Sequence, residues 1–145
     1  MFIYSRLIQE EDLNFIGHVG TDRVLYLFRE AWRLFLDKLG YTETDIGGGV
    51  GMIQKAFYME SDKEILAGEI ISVNIDGFEG ERTAFTLYYS ITTESGPAFT
   101  GYMKLQAFDC KARKFRRVPV SFLRRVRGAL YPLSTSGAPM FTDFA

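Results

Sequence analysis

The sequence predicts an α+β domain in which a five-stranded antiparallel sheet wraps around one long helix. Residues 22–39 carry apolar side chains at helical spacing around nearly the whole circumference of the predicted helix. One β-prone segment precedes this helix and four follow it, with short turn sequences between them. Aromatic residues make up 15% of the chain, a content that suits packing on pleated strands.

The composition is that of a single globular domain. The chain has 145 residues, of which 47% are hydrophobic and 24% charged, and its net charge is -1. Cys110 is the only cysteine and His18 the only histidine, which excludes an intramolecular disulfide and argues against a structural metal. Residues 1–6 lack the pattern of a secretory signal, and no segment is long and apolar enough to span a bilayer. We therefore expect a cytoplasmic protein with no membrane partner.

The first predicted elements are a strand, a loop and the long helix. Residues 2–8 are apolar and β-prone, whereas residues 9–20 contain charges and glycines and are predicted to form a loop. Thr21 is the predicted N-cap, and Asp22 places negative charge in the first turn, where the helix dipole favours it. Gly40 is the predicted end of the helix. Because the helix is apolar beyond a narrow stripe, we expect it to be buried on most sides.

The remainder of the sequence predicts a strand meander followed by a tail. The predicted strands cover residues 52–60, 69–78, 82–93 and 98–109, and the turns between them are rich in Gly, Asp, Ser and Pro. Residues 122–131 are expected to form either a short helix or a last irregular segment. A single domain is therefore predicted over 1–131, with an extended C-terminal tail over 132–145.

A helix that is apolar on nearly all sides must be enclosed by the rest of the domain. A curved five-stranded antiparallel sheet around one central helix achieves this, and the arrangement is known as the hotdog fold. Its edge strand exposes unpaired backbone groups, which such folds usually cover by pairing with a second subunit. We therefore expect a homodimer, or a homotetramer built as a dimer of dimers.

The loop before the helix carries the most specific sequence pattern. Residues 12–19 read Asp-Leu-Asn-Phe-Ile-Gly-His-Val and are followed closely by the long helix. This pattern resembles the 4-hydroxybenzoyl-CoA thioesterase branch of the hotdog family, which carries D-x-D-x-x-G-H-V-N-N before its helix. Further matches along residues 3–123 are Phe28, Glu30, Ala31, Leu39, Gly40, Gly68, Glu69 and Pro119. The resemblance implies a thioesterase that hydrolyses an acyl-CoA or acyl-carrier-protein thioester and needs no other cofactor.

The same resemblance implies a catalytic site formed by Asn14, Gly17, His18 and Val19. In the family, the thioester carbonyl lies at the helix N-terminus, where free backbone N–H groups and the helix dipole stabilise a developing oxyanion. Gly17 lets the backbone approach the thioester, and His18 can form a hydrogen bond near the same oxygen. Asn14, however, replaces the family's catalytic carboxylate and cannot act as a nucleophile or a strong base.

Three alternatives follow from this asparagine. In the first, His18 takes over as the base, with Asn14 orienting it or the attacking water. In the second, another carboxylate enters the site, the candidates being Asp12, Asp22 and Glu30. In the third, the chain is a non-hydrolytic acyl-thioester-binding protein. A hotdog dehydratase or hydratase is disfavoured, because no predicted helix carries the combination of His and carboxylate that those enzymes use.

Each of the three carboxylates also has a structural interpretation. Asp12 fits a turn-forming residue, Asp22 fits a partner of the helix dipole, and Glu30 fits an ion pair across a dimer interface. The asparagine pair that follows His-Val in the family is Gly20 and Thr21 in this chain. The helix arginine of the family is Trp32.

A basic strip lies late in the sequence, and among its residues only Asp109 carries the opposite charge. Its members are Lys104, Lys111, Arg113, Lys114, Arg116, Arg117, Arg124, Arg125 and Arg127. Given the resemblance, Arg113, Lys114, Arg116 and Arg117 are the candidates for binding the phosphates of coenzyme A, with a solvated strand end as the alternative. The near-neutral net charge argues against nucleic acid as a partner.

Overall fold

The computed structural model describes residues 2–131, so the predicted tail over 132–145 lies outside the described residues. The chain forms strand β1 (Phe2–Leu7), a short 3-10 helix (Glu10–Asp12) and helix α1 (Thr21–Leu39). It continues with the strands β2 (Gly51–Ser61), β3 (Ile70–Gly80), β4 (Ala84–Thr93) and β5 (Gly96–Asp109). A two-residue strand β6 (Lys114–Phe115) and helix α2 (Val120–Leu130) complete the fold.

The sheet is antiparallel, and its strand order is β1-β3-β4-β5-β2. The five predicted strands are therefore confirmed, and β6 extends the sheet by pairing with the end of β5. Sequence patterns miss β6 because two residues are too few to show an alternation. Of the two alternatives for residues 122–131, the helix is confirmed; it begins after Pro119, whose carbonyl accepts a hydrogen bond from the backbone N–H of Leu123.

Helix α1 ends as predicted but is capped by a different residue. Gly40 adopts the left-handed conformation with φ 86°, and its N–H donates to the carbonyl of Asp37. The predicted N-cap at Thr21 is wrong, because Gly20 is the N-cap and no side chain makes a capping hydrogen bond. Gly20 has extended backbone and its carbonyl accepts from the N–H groups of Arg23 and Val24, whereas Thr21 is already helical. Side-chain preference alone does not locate a helix start to one residue.

The buried face of α1 packs against the sheet and supplies much of the core. Its buried residues are Val24, Leu27, Phe28, Ala31, Trp32, Phe35 and Leu36. Phe28 lies 4.7 Å from Tyr89 of β4 between ring centroids, a distance at which aromatic pairs attract. The expectation that α1 is buried on most sides holds for this face only: Tyr26 and Leu34 remain 46% and 44% exposed on the opposite face. No helix among residues 2–131 is long and apolar enough to cross a membrane.

Strand β2 forms one edge of the sheet and pairs only with β5 within the described part of the chain. Most of its side chains are exposed, including Ile53 and Tyr58. A bulge interrupts its pairing between Gln54 and Ala56. Strands β1 and β2 are the two edges of the sheet, and an edge strand is the feature from which subunit pairing is predicted.

Candidate active site at the start of helix α1

A tight turn before α1 brings the residues of the sequence pattern together. The N–H of Asn14 donates to the carbonyl of His18 over 2.9 Å, and the N–H of Gly17 donates to the carbonyl of Asn14 over 3.0 Å. Gly17 has φ 92°, a conformation that residues with a Cβ rarely adopt. The turn tip is apolar and exposed, since Phe15 is 96% and Ile16 64% accessible.

The side chain of Asn14 uses its oxygen within the turn and turns its nitrogen toward the helix. Its Oδ1 accepts from the N–H of Ile16 over 3.0 Å, which assigns the amide orientation because only the oxygen accepts. A Cβ added at Gly20 would lie 3.1 Å from Asn14 Nδ2 and 3.0 Å from Asp22 Oδ1. Gly20 therefore leaves the space in which the Asn14 amide lies beside the first turn of α1.

His18 is paired with a carboxylate that the sequence analysis missed. His18 Nδ1 lies 3.2 Å from Oε2 of Glu64, a residue 46 positions further along the chain. This contact leaves Nε2 as the ring nitrogen without a hydrogen-bond partner among the described residues. No spacing rule could have found Glu64, because only the tertiary fold brings the loop between β2 and β3 next to the turn before α1.

A cavity of about 290 Å³ opens at this point. It is lined by Asn14, His18, Val19, Gly20, Thr21, Ser61, Asp62, Lys63, Glu64 and Phe99. The N–H groups of Thr21 and Asp22 have no acceptor within residues 2–131, because the first helical hydrogen bonds to Gly20 come from Arg23 and Val24. The cavity therefore combines the imidazole of His18, the amide of Asn14 and the positive end of a helix dipole with three charged side chains from the loop after β2.

Asp12 lies outside this cavity and holds the local structure together. Its buried carboxylate accepts from Arg6 Nη2 over 2.9 Å, from Arg23 Nε over 2.7 Å and from the N–H of Gln9 over 2.8 Å. Burial by itself would raise the pKa of Asp12, but the hydrogen bonds from Gln9 and Arg23 and the charges of both arginines outweigh it and hold the pKa below its ordinary value. Asp12 thus joins β1, the loop and α1. This role is structural, as in the interpretation of Asp12 as a turn-forming residue.

Asp22 and Glu30 line a different cavity, of about 360 Å³, on the exposed face of α1. Glu30 accepts a hydrogen bond from the Tyr4 hydroxyl, and burial together with this carboxylate raises the pKa of Tyr4 to about 12. Arg6 Nη1 lies 3.7 Å from the other oxygen of Glu30. Asp22 borders Gly20, whereas Glu30 does not line the cavity that contains Asn14 and His18.

The predicted phosphate-binding residues lie at the other end of the sheet. Arg113, Lys114, Arg116 and Arg117 are exposed in the segment that contains β6. Arg116 donates to Asp109 from Nε over 3.2 Å and from Nη2 over 2.9 Å, so part of its charge is already neutralised. Hydrogen bonds from the N–H of Ala112 and from Arg116 hold the pKa of Asp109 below its ordinary value.

The separation between the two regions can be read from strand β5. Phe99 pairs with Ser61 beside the cavity, whereas Phe108 pairs with Gly51 and Phe115 beside the basic residues. At about 3.4 Å per residue, the strand between Phe99 and Phe108 spans about 30 Å. Within one chain, the cavity and the basic segment are therefore far apart.

Comparison with known proteins agrees with the resemblance found in the sequence. The model of the thioesterase-like superfamily matches residues 8–126. Among curated proteins, none matches the sequence significantly.

Three solved structures illustrate the likeness in fold. A Staphylococcus aureus protein in complex with CoA superposes with TM-score 0.80 at 15% identity, covering 97% of this chain and 87% of that one. A 1,4-dihydroxy-2-naphthoyl-CoA thioesterase from Synechocystis gives TM-score 0.74 at 16% identity, over 89% and 94% of the two chains. A gentisyl-coenzyme A thioesterase gives TM-score 0.73 at 18% identity, over 84% and 98%. The chain belongs to the thioesterase-like superfamily and has its hotdog fold.

Proposed function

We propose that this protein is a thioesterase that hydrolyses an acyl-CoA or acyl-carrier-protein thioester in the cavity at the start of α1. The observation that carries the proposal is that His18 lines the same cavity as the first turn of α1. Among residues 2–131, neither His18 Nε2 nor the N–H groups of Thr21 and Asp22 have a hydrogen-bond partner. Membership of the superfamily supports it, as do the two structural relatives named as thioesterases.

In the proposed reaction, the thioester carbonyl oxygen accepts hydrogen bonds from the N–H groups of Thr21 and Asp22. His18 Nε2 takes a proton from water as the water oxygen attacks the carbonyl carbon, which gives a tetrahedral intermediate. Collapse of the intermediate breaks the C–S bond, and His18 returns the proton to the departing sulfur. The products are a carboxylic acid and a free thiol, and no cofactor or metal takes part.

Asn14 and the rest of the turn have supporting roles in this scheme. Asn14 Nδ2 faces the helix start and donates a hydrogen bond to the carbonyl or to the water. Gly17 closes the turn without a Cβ, and the N–H of Val19 donates to the carbonyl of Ile65, which fixes the backbone beside His18. Of the three alternatives that follow from Asn14, the position of His18 supports the one in which His18 is the base.

We further propose that the working unit is a homodimer, or a homotetramer made from two such dimers, in which two β2 strands pair antiparallel. The free edge and exposed side chains of β2 support this arrangement. Antiparallel pairing brings the Gly51 end of one subunit beside the Ser61 end of its partner. Neighbouring strands are about 4.8 Å apart, so the basic segment of the partner then lies roughly 15–20 Å from the cavity. The basic segment of the same chain is about 30 Å away along β5.

This geometry makes the binding site for coenzyme A a shared one. The acyl thioester lies in the cavity of one subunit, and Arg113, Lys114 and Arg117 of the other subunit bind the nucleotide phosphates. The Staphylococcus aureus relative solved with CoA supports coenzyme A as the carrier.

The experiment that tests the proposed activity measures thiol release from a panel of aromatic and medium-chain acyl-CoA esters. We expect turnover of at least one ester, and a loss of at least tenfold in kcat/KM for His18→Ala, in line with the contribution of a general base. Glu94→Gln, an exposed substitution in the β4–β5 turn, is the matched control. A wild-type protein that binds acyl-CoA but releases no thiol from any ester would establish the second candidate, a non-hydrolytic binding protein, which the presence of Asn14 in place of a carboxylate favours.

A further inference from the structure

Within the described part of the chain, Glu64 is the one carboxylate that pairs with the histidine of the cavity. The distance between His18 Nδ1 and Glu64 Oε2 is 3.2 Å, within reach of a hydrogen bond. The other carboxylate that lines the cavity, Asp62, has no hydrogen bond to His18. The remaining charged side chain there, Lys63, donates to the hydroxyl of Ser95 and so has a partner of its own.

The backbone on both sides of Glu64 is tied to neighbouring elements. On one side, the N–H groups of Asp62 and Lys63 donate to the carbonyl of Ala98 over 2.8 Å and 3.3 Å. On the other side, Ile65 is fully buried and its carbonyl accepts from the N–H of Val19, the residue that follows His18. The loop that carries Glu64 and the turn that carries His18 are therefore joined directly, next to the contact between their side chains.

We propose that Glu64 is a positioning residue for His18, an inference that rests on the proposed hydrolase function. Its carboxylate accepts a hydrogen bond from the N–H group at Nδ1 of the imidazole. This contact selects the tautomer whose lone pair is on Nε2. When Nε2 takes the proton from water, the negative charge of Glu64 stabilises the imidazolium that forms. Glu64 touches neither the water nor the thioester in this scheme.

The position of Glu64 explains how the site works with an asparagine at position 14. A carboxylate placed at Asn14 would act on the water or carbonyl directly, whereas the carboxylate of Glu64 acts through the imidazole. Of the other charged groups near the site, Arg23 is bound to Asp12, whereas Asp22 Oδ1 lies beside Gly20, close to Asn14 Nδ2. Among the described residues, the charged group in contact with His18 is Glu64, while Asp62 and Lys63 line the same cavity.

The exposure of the pair indicates that it contributes little to the stability of the fold. Glu64 and His18 have side chains that are 61% and 30% exposed, and exposed pairs contribute little to folding. We therefore expect the variants of Glu64 to fold normally, so that any loss of activity reports on the site rather than on unfolding.

The first test compares three substitutions of Glu64 in the full chain. Glu64→Ala removes both the hydrogen-bond acceptor and the charge, and we expect kcat to fall about tenfold with KM nearly unchanged. Glu64→Gln keeps an acceptor without the charge and is expected to lose less, while Glu64→Asp recovers part of the activity. In a His18→Ala background, Glu64→Ala is expected to have no further effect, because the two residues act as a unit. Glu94→Gln again serves as the control.

The second test does not depend on activity. Because His18 is the only histidine of the chain, the ¹⁵N NMR signals of a single imidazole report which ring nitrogen carries the proton. We expect the proton on Nδ1 in the wild type and a shift toward Nε2 in Glu64→Ala. An active wild type whose Glu64→Ala variant keeps both its kcat and its tautomer would overturn this inference alone, whereas a wild type inactive on every ester would overturn the proposed function and this inference with it.

Discussion

The turn before α1 and the basic segment after β5 differ in how the fold holds their polar groups. In the turn region, Asp12 is buried and bound by two arginines from different elements, and His18 and Asn14 are fixed by backbone hydrogen bonds. In the basic segment, the charges are exposed and Asp109 is the one carboxylate paired with them among the described residues. The contrast indicates that the first region is built for fixed geometry and the second for attracting charge. Because about 30 Å separates them along β5, the two regions of one chain do not adjoin.

The largest expected effect is a loss of stability when Asp12 in the turn region is replaced. Asp12→Ala removes the carboxylate that Arg6 and Arg23 share and leaves two mostly buried guanidinium groups without it. Because an unpaired buried charge is costly, we expect the free energy of unfolding to fall by about 3 kcal/mol. Chemical denaturation measures this change. Asp109→Ala, the matched substitution in the basic segment, is expected to change stability far less, and an equal loss in the two variants would remove the distinction between the regions.

The same substitution has a predictable pH dependence. The pKa of Asp12 is lowered in the folded protein, so its contribution to stability is present above the ordinary Asp pKa of about 3.9 and is lost as the pH falls through the lower folded value. The stability difference between wild type and Asp12→Ala should therefore be constant near neutral pH and shrink in acid below about pH 4. A difference that grew on acidification would contradict the assignment of the carboxylate as the charged partner.

The next prediction tests whether two chains unite the two regions. One subunit carries His18→Ala, and the other carries Arg113→Glu with Lys114→Glu; each homodimer is expected to be impaired on acyl-CoA. In the purified heterodimer, one site combines an intact His18 with the intact basic segment of the other subunit. We expect its kcat/KM to approach half the wild-type value, which is at least fivefold above that of the His18→Ala homodimer. Recovery no greater than the average of the two parents would place both regions of one site in the same chain.

A smaller effect is expected when the basic segment alone is changed. Arg113→Glu with Lys114→Glu should raise KM for acyl-CoA roughly fivefold and leave kcat unchanged, because exposed charges act on binding rather than on the reacting atoms. Acyl-pantetheine esters lack the nucleotide and should be hydrolysed as by the wild type. Arg124→Glu, on the exposed side of α2, is a charge-reversal control outside this segment, and equal losses on both ester types would argue against phosphate binding by Arg113 and Lys114.

The smallest expected effect concerns Asn14. Asn14→Asp changes an amide for a carboxylate of nearly the same size, so we expect the turn to remain folded and kcat/KM to stay at or somewhat above the wild-type value. The first turn of α1 favours a negative charge at this place. Steady-state kinetics on one accepted acyl-CoA decide the matter. If the substitution instead abolishes a robust activity, the amide of Asn14 is itself an essential donor.

Local sequence patterns were sufficient for the main elements of the fold. Helix α1 is predicted by apolar spacing and ends at Gly40 because a left-handed residue stops it, and both signals lie within the helix itself. The strands are likewise marked by alternation and by the turns between them. The 12–19 pattern located His18 and the segment before the helix, since these residues adjoin one another in the chain, but the N-cap predicted at Thr21 lies one residue too late.

Only the tertiary structure decided what surrounds those residues. The pairing of His18 with Glu64, the binding of Asp12 by Arg6 and Arg23, and the exposed face of α1 all depend on segments that are distant in sequence. The identity of an acidic residue does not reveal whether its carboxylate is buried or faces a cavity. The sequence alone therefore does not distinguish the roles of Asp12, Asp22, Glu30 and Glu64. Their different roles arise from burial and from neighbouring charges, which exist only after the strands and helices have packed.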